Sequence, residues 1–315
     1  MDDTHAAATP GRSPMNKPIG GRVLNPVRYV FLRSPTAFQH RVLHAFGRSA
    51  PWASGAPPVA PPAPEGMRTG APDFVGIGAA KSGTTWWFSL LMSHPEIHVE
   101  YEKELNYFND QFLKRLDAGE VTVADAEAYR DWFPRPEGTI TGEWTPHYAF
   151  AYRLPSVLRV AAPGAKLIVM LRDPIERYRS DLSRRMPSKA LERLRYRSLA
   201  NSMYANVLQP WEEAYAPEDL LVLQFEACIR SAAEHLAETF RFLGIDDTFR
   251  PNEIRAPINT SKNKLGLDPF VVKQLVRLYS PDVLRLVQQR PSIDLSLWPN
   301  FAHLANPPVF PAPPT

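Results

Sequence analysis

The chain has 315 residues, 44% of them apolar and 22% charged, and a net charge of +3; this suffices for one large domain with a core, or two small ones, and excludes a peptide module. Proline, with 33 residues, stands at about twice its usual share, and 17 of the 33 fall in residues 1–72 and 307–315. The positive charge also concentrates at one end, +5 on residues 1–72 against −2 on the remainder, so the body lacks the broad phosphate-neutralising surface that nucleic-acid binding requires.

Residues 1–72 have no periodic apolar face that could offset the entropy of ordering, and they are expected to be mostly disordered, as is the Pro-rich tail 307–315. The body is expected over residues 73–306. Within the N-terminal segment Arg22, Arg28, Arg33, Arg41 and Arg48 are spaced among Val, Leu and Phe, with no acidic residue from Thr4 to Pro64. Such a segment is either a solvated basic tail or a short amphipathic helix making weak contact with an anionic membrane surface. Its longest apolar run, Tyr29 to Leu32, is too short for a signal sequence or a membrane span, and no span is expected. Cys228 is the only cysteine, which excludes an intrachain disulfide and a Cys-based zinc site; a reducing, cytoplasmic location is expected.

From Asp73 short apolar runs alternate with helical stretches. The pattern predicts a strand at Phe74–Ile77, a helix from Thr85 to Met92, a buried strand at Lys166–Leu171 and a helix starting at Pro174, just after Asp173. A third strand is predicted at Leu220–Phe225. A helix follows from Ala232 to Leu243, closed by Gly244, and a last helical run extends from Pro269 to Tyr279. Strands separated by helices imply right-handed crossovers, hence an α/β fold of three layers, α/β/α, around a central parallel sheet.

The turn between the first strand and helix, Gly78-Ala79-Ala80-Lys81-Ser82-Gly83-Thr84-Thr85, is the arrangement in which backbone amides and a helix N-terminus hold a phosphate. It departs from the Walker A pattern, because Lys81 precedes Ser82 and Gly83 instead of following the glycine. Arg172-Asp173-Pro174, after the second buried strand, begins at the same carboxyl edge of the sheet, where ligands bind. Arg172 offers a permanently charged donor fork. Ser180 is eight residues on, roughly 12 Å of helical rise, so spacing alone does not place both on one phosphate.

Lys81-Ser82-Gly83-Thr84-Thr85-Trp86 resembles the 5′-phosphosulfate loop of sulfotransferases that use 3′-phosphoadenosine 5′-phosphosulfate (PAPS), and Arg172 followed by Ser180 resembles their 3′-phosphate site. The resemblance implies a P-loop NTPase-like sulfotransferase fold, PAPS as co-substrate and no metal. It places Lys81 beside the bridging oxygen, the amides of Gly83, Thr84 and Thr85 on the 5′-phosphate, and Trp86 against the adenine. Ser261-Lys262-Asn263-Lys264 resembles the family's loop that closes over the nucleotide, with Asn263 and Lys264 replacing glycine and arginine. Read without the resemblance, it is an ordinary solvated loop.

Tyr101 to Asp110 resembles the Lys-Glu-x-x-Phe-Phe segment of glycan sulfotransferases, which puts the general base at Glu104; read bare, Glu102, Lys103 and Glu104 are a solvated charged loop. A positioned carboxylate that takes the acceptor's proton contributes ~10²–10⁴ in rate. Gly142 to Tyr148 resembles a Glu-Lys-Thr-Pro-x-Tyr segment, but Trp144 replaces the lysine that meets an anionic sugar, and Asn106 stands where histidine is common. Both departures point away from a polyanionic acceptor, with Trp144 expected as an aromatic wall. His147 is the rival base. The function implied is sulfuryl transfer to a hydroxyl or amine of a carbohydrate, lipid or small-molecule acceptor. The alternative is a P-loop nucleotide or small-molecule kinase with Asp173 as its magnesium carboxylate, and the third reading is an inactive nucleotide-binding module.

Overall fold

The computed structural model describes residues 59–101, 103–183, 195–252, 254 and 266–305. Among these, β1 (Phe74–Gly78), β2 (Gly142–Trp144), β3 (Lys166–Leu171) and β4 (Leu220–Gln224) form one parallel sheet in the order β2-β1-β3-β4. Between β1 and β2 come α1 (Thr84–Leu91), α2 (Asp110–Asp117) and α3 (Val123–Glu127). The next crossover contains α4 (Leu154–Ala161), and α5 (Pro174–Leu182) and α6 (Tyr204–Ala214) lie between β3 and β4. After β4 come α7 (Phe225–Arg230), α8 (Ala232–Leu243) and α9 (Pro269–Gln289).

The period-two alternation of a strand divides the central strands between two apolar layers. Val75, Ile77, Leu167, Val169 and Leu171 face α4, α5, α6 and α9, whereas Phe74, Ile168 and Met170 face α1 and α8. The three-layer expectation is met, with helices on both faces. Strand β2 was not predicted. It forms where glycine permits close approach: a Cβ on Gly142 would sit 2.2 Å from the Phe74 carbonyl oxygen, and one on Gly76 would sit 2.1 Å from the Trp144 ring.

Three boundaries differ from expectation. Contacts of the body begin before Asp73: Arg68 and Arg135 exchange backbone hydrogen bonds, and the buried Arg135 guanidinium donates to the carbonyls of Gly70 and Ala71 while pairing with Asp73. Phe225, predicted as the last strand residue, instead starts α7. Helix α9 continues past Tyr279 and through Pro281 to Gln289, because Val283 and Leu286 are buried in the same apolar cluster as α6 and Asp282 accepts hydrogen bonds from the first-turn amides of Ala205 and Asn206 in α6. The arginine-spaced part of the N-terminal segment and the tail 307–315 lie outside the described residues. Among those described, no helix is long and apolar enough to cross a membrane.

Candidate active site

The loop that bears Lys81, the Arg172 segment and Glu226 follow the carboxyl ends of β1, β3 and β4, and the turn that bears Glu104 docks beside the end of β2. The loop after β1 turns into α1 at Gly83, whose φ of 88° is unfavourable for an L side chain and whose Cβ would lie 2.4 Å from the Phe225 ring. Lys81 also has positive φ, 75°. Gly83 brings no side-chain cap to α1 and the first turn holds no acidic residue, so the first-turn amides and the helix dipole are presented to an anion.

Two arginines hold this loop by its carbonyls. Arg177 Nη1 donates to the Ala80 carbonyl at 3.4 Å and Arg172 Nη1 donates to the Lys81 carbonyl at 3.2 Å. In a trans peptide the N–H that follows points opposite to the carbonyl. The Lys81 amide therefore points away from Arg177. Arg177 is fully buried; its remaining donors meet Ser202 Oγ at 2.8 Å, Ser198 Oγ at 2.8 Å and the Ser198 carbonyl, and Asp181 stands 3.6 Å away. Arg177 carries no role in the sequence reading above. Its signal was its place on the apolar side of α5, beside Tyr178 and Leu182 and four residues before Asp181.

Arg172 is partly exposed. Its guanidinium lies over the Phe225 ring, 5.1 Å from the centroid, and 3.9 Å from Glu176, whose carboxylate also accepts from Arg179 at 2.6 Å. Helical spacing puts Glu176, Arg179 and Ser180 on one face of α5, so Ser180 shares the side of Glu176. The backbone of Arg172 is fixed by Tyr204, whose hydroxyl donates to the Arg172 carbonyl at 2.8 Å. Burial pushes that hydroxyl's pKa up to about 12.

Asp173 is fully buried and saturated with protein donors. One oxygen caps α5 through the amides of Ile175 and Glu176, and the other accepts from the backbone and side chain of Asn300. It is a structural cap, which corrects the reading of Asp173 as a magnesium carboxylate. Glu226, at the start of α7, accepts from the Asp173 amide at 3.0 Å and from Trp298 Nε1 at 2.9 Å; burial raises its pKa to about 7.

Two other residues are placed differently from expectation. Trp86 is 2% exposed and packs edge-on against Trp87 and Phe225, so its ring belongs to the core and is not offered to adenine. Ser82 is wholly buried, which leaves its backbone rather than its hydroxyl to face a ligand, while Lys81 and Thr85 keep partial exposure and Thr84 is buried. Trp144 is no aromatic wall either: it is fully buried against Gly76, and its Nε1 donates to the Gly78 carbonyl at 3.2 Å. Ser261, Lys262, Asn263 and Lys264 lie outside the described residues, as does Glu102.

Glu104 lies in a turn docked onto the residue after β2. The Asn106 amide donates to Thr145 Oγ1 at 3.2 Å, and Asn106 Nδ2 donates back to the Glu104 carbonyl at 2.8 Å. Glu104 and Asn106 both have positive φ, 68° and 52°. Lys103 pairs with the Glu104 carboxylate at 2.9 Å. Because β2, β1 and β3 are neighbours, the Glu104 turn, the Lys81 loop and the Arg172 segment share one edge of the sheet. His147 is exposed, just beyond β2. Among the described residues no group of three His, Cys, Asp or Glu side chains stands close enough to hold a metal ion.

Residues 71–264 match the family model of the sulfotransferase domain. The chain is 29% identical over 191 residues to heparan sulfate glucosamine 3-O-sulfotransferase 3A1 of Mus musculus, covering 55% of this chain and 46% of that protein. To bifunctional heparan sulfate N-deacetylase/N-sulfotransferase 3 of the same species it is 25% identical over 206 residues, 58% of this chain and 23% of that one. It thus spans about half the length, or less, of these curated relatives. A solved sulfotransferase from Alicyclobacillus acidocaldarius superposes with a TM-score of 0.56 at 25% identity, covering 72% of this chain and 98% of that one.

Proposed function

Since the chain belongs to the sulfotransferase domain family, we propose that it transfers a sulfuryl group from PAPS to a hydroxyl or amine of a carbohydrate, lipid or small-molecule acceptor. The observation that carries this reading is the loop Gly78–Gly83, which leads into a helix without a side-chain cap and whose Ala80 and Lys81 carbonyls are held by Arg177 and Arg172. Such a loop fits a 5′-phosphosulfate, with the amides of Gly83, Thr84 and Thr85 as donors and Lys81 as the cation beside it. Arg172 and Ser180 are the partners for the 3′-phosphate, and the segment 261–264 would close over the nucleotide. PAPS supplies an activated sulfuryl group on a good leaving group.

The residues of the chain then do two things. Lys81 and the loop amides, fixed before the reaction, stabilise the charge that gathers on the leaving phosphate. Glu104, on the adjoining turn, takes the proton that the acceptor loses as its oxygen or nitrogen attacks sulfur. The family match leaves the kinase alternative without support, and the saturation of Asp173 removes the carboxylate on which that alternative rested. The two relatives named above act on heparan sulfate. In this chain the cation at position 144 is replaced by a buried tryptophan, which favours a neutral acceptor over a polyanion.

Incubation with ³⁵S-labelled PAPS and a panel of neutral glycans, heparosan-type polyanions, lipids and phenols tests this. Label is expected in a neutral hydroxylated acceptor; stabilisation by ATP and magnesium but not by PAPS in a thermal-shift assay would overturn the assignment.

A further inference from the structure

Glu143 is 3% exposed, and burial raises its pKa above the ordinary glutamate value. No arginine or lysine pairs with it among the described residues; instead it is ringed by neutral donors. Oε1 accepts from the Tyr129 hydroxyl at 2.6 Å and the Tyr148 hydroxyl at 3.0 Å, and Oε2 accepts from the Thr145 hydroxyl at 2.5 Å. A buried carboxylate without a cation is costly, and a glutamine here would present an amide donor to groups that are themselves donating.

Two of these donors, Thr145 and Tyr148, pass the constraint onward to the segment that bears Glu104. With its proton committed to Glu143, Thr145 Oγ1 has lone pairs left to accept the Asn106 amide at 3.2 Å. Tyr148, likewise committed, accepts the Phe108 amide at 3.3 Å. One buried carboxylate therefore orders the amides of residues 106 and 108. It does so across a turn in which Glu104 and Asn106 hold left-handed backbone, a strained conformation for non-glycine residues that persists only where the surroundings enforce it.

We propose that Glu143 is a positioning residue for the transfer reaction, holding the Glu104 carboxylate in place through Thr145 and the amides of residues 106 and 108. The inference rests on Glu104 being the base. It implies that Glu143 and Thr145 touch neither substrate and act only through Glu104, so their contribution should vanish once Glu104 is gone.

A double-mutant cycle reads this directly. Glu143→Gln is the obvious change, but it risks the fold; Thr145→Val keeps shape and removes only the hydroxyl that joins Glu143 to the Asn106 amide. Thr145→Val is expected to lower kcat roughly 10- to 100-fold, as misplacement of a reacting group does, with PAPS affinity within twofold of wild type. Thr145→Ser, which restores the hydroxyl, should recover most of the loss. In a Glu104→Gln background, Thr145→Val should cost nothing more. Wild-type kcat in Thr145→Val, or the same fold-loss in both backgrounds, would overturn the positioning role. Wild-type turnover in Glu104→Gln alone would instead remove Glu104 as base, a separate result read from a separate protein.

Discussion

The Arg172 guanidinium donates to the carbonyl oxygen of Lys81 at 3.2 Å, so the two anion loops, 91 residues apart in sequence, are joined by a direct hydrogen bond. The residue assigned to the 3′-phosphate thereby also shapes the loop assigned to the 5′-phosphosulfate. Arg172 is held in turn by the Phe225 ring, which stands over Gly83 of that loop.

Substitution should separate the two roles. Lys81→Ala removes a charge contact needed most in the transition state, so turnover should fall at least ~100-fold with the melting temperature unchanged. Arg172→Ala should weaken PAPS binding by ~2–3 kcal/mol through loss of a charge-assisted pair. Adenosine 5′-phosphosulfate, which lacks the 3′-phosphate, should lose much less affinity, and what it does lose measures the Lys81 carbonyl contact. Isothermal titration with both nucleotides checks this; equal losses for the two would place Arg172 away from the 3′-phosphate.

Arg177 should behave as structure first. Arg177→Met removes the cation 3.6 Å from Asp181 and the buried donor to the Ala80 carbonyl, the Ser198 carbonyl and the Ser202 hydroxyl. Removing one partner of such a buried pair costs about 3–5 kcal/mol, visible as a lower urea midpoint. If PAPS still stabilises the variant as much as it does wild type, the loop does not depend on Arg177.

The sheet edge was legible in the sequence because its signals are local. Apolar runs marked β1 and β3, Asp173-Pro174 marked the start of α5, and Gly244 marked the end of α8, where it has φ 77°. What escaped depends on contacts between distant residues. Strand β2 has three residues and no alternation, and it exists because Gly142 and Gly76 let Phe74 and Trp144 close in. Tryptophans 86 and 144 lie in motifs that suggest ligand contact, yet only the fold shows both rings buried. Glu143 and Arg177 sit inside segments already noted, but their burial and their partners, from residue 80 to residue 202, have no sequence period.

Stability should fall as pH rises toward neutrality. The Glu226 carboxyl, raised by burial to about 7 from 4.5, binds its proton more tightly in the folded chain than in the unfolded one. The stabilisation this gives is complete below about pH 4.5, is lost as pH climbs to about 7, and then levels off, with an amplitude of at most about 3 kcal/mol. Glu143, Asp173 and Asp282 are shifted in the same direction, also by burial. Glu226→Gln cannot titrate, so its urea-unfolding free energy relative to wild type should improve between pH 5 and pH 8. Parallel curves for the two proteins would mean that Glu226 is ionised in the fold throughout.

The identity of the base decides where the proton goes. Glu104→Gln keeps the shape of the side chain and an oxygen that can still accept from Lys103, but it removes the basic carboxylate. PAPS binding involves no proton transfer, so affinity should stay within about twofold while turnover falls by the ~10²–10⁴ expected for a general base. On the acid side, the wild-type kcat profile should rise as a carboxylate ionises, and the variant should lose that limb. His147 is the control, because it is exposed and stands just beyond the strand that anchors the Glu104 turn. His147→Gln should keep the carboxylate-controlled limb. If it abolishes turnover while Glu104→Gln does not, the proton goes to an imidazole, the limb should lie near pH 6–7, and the acceptor search should turn from sugars toward phenols and alcohols.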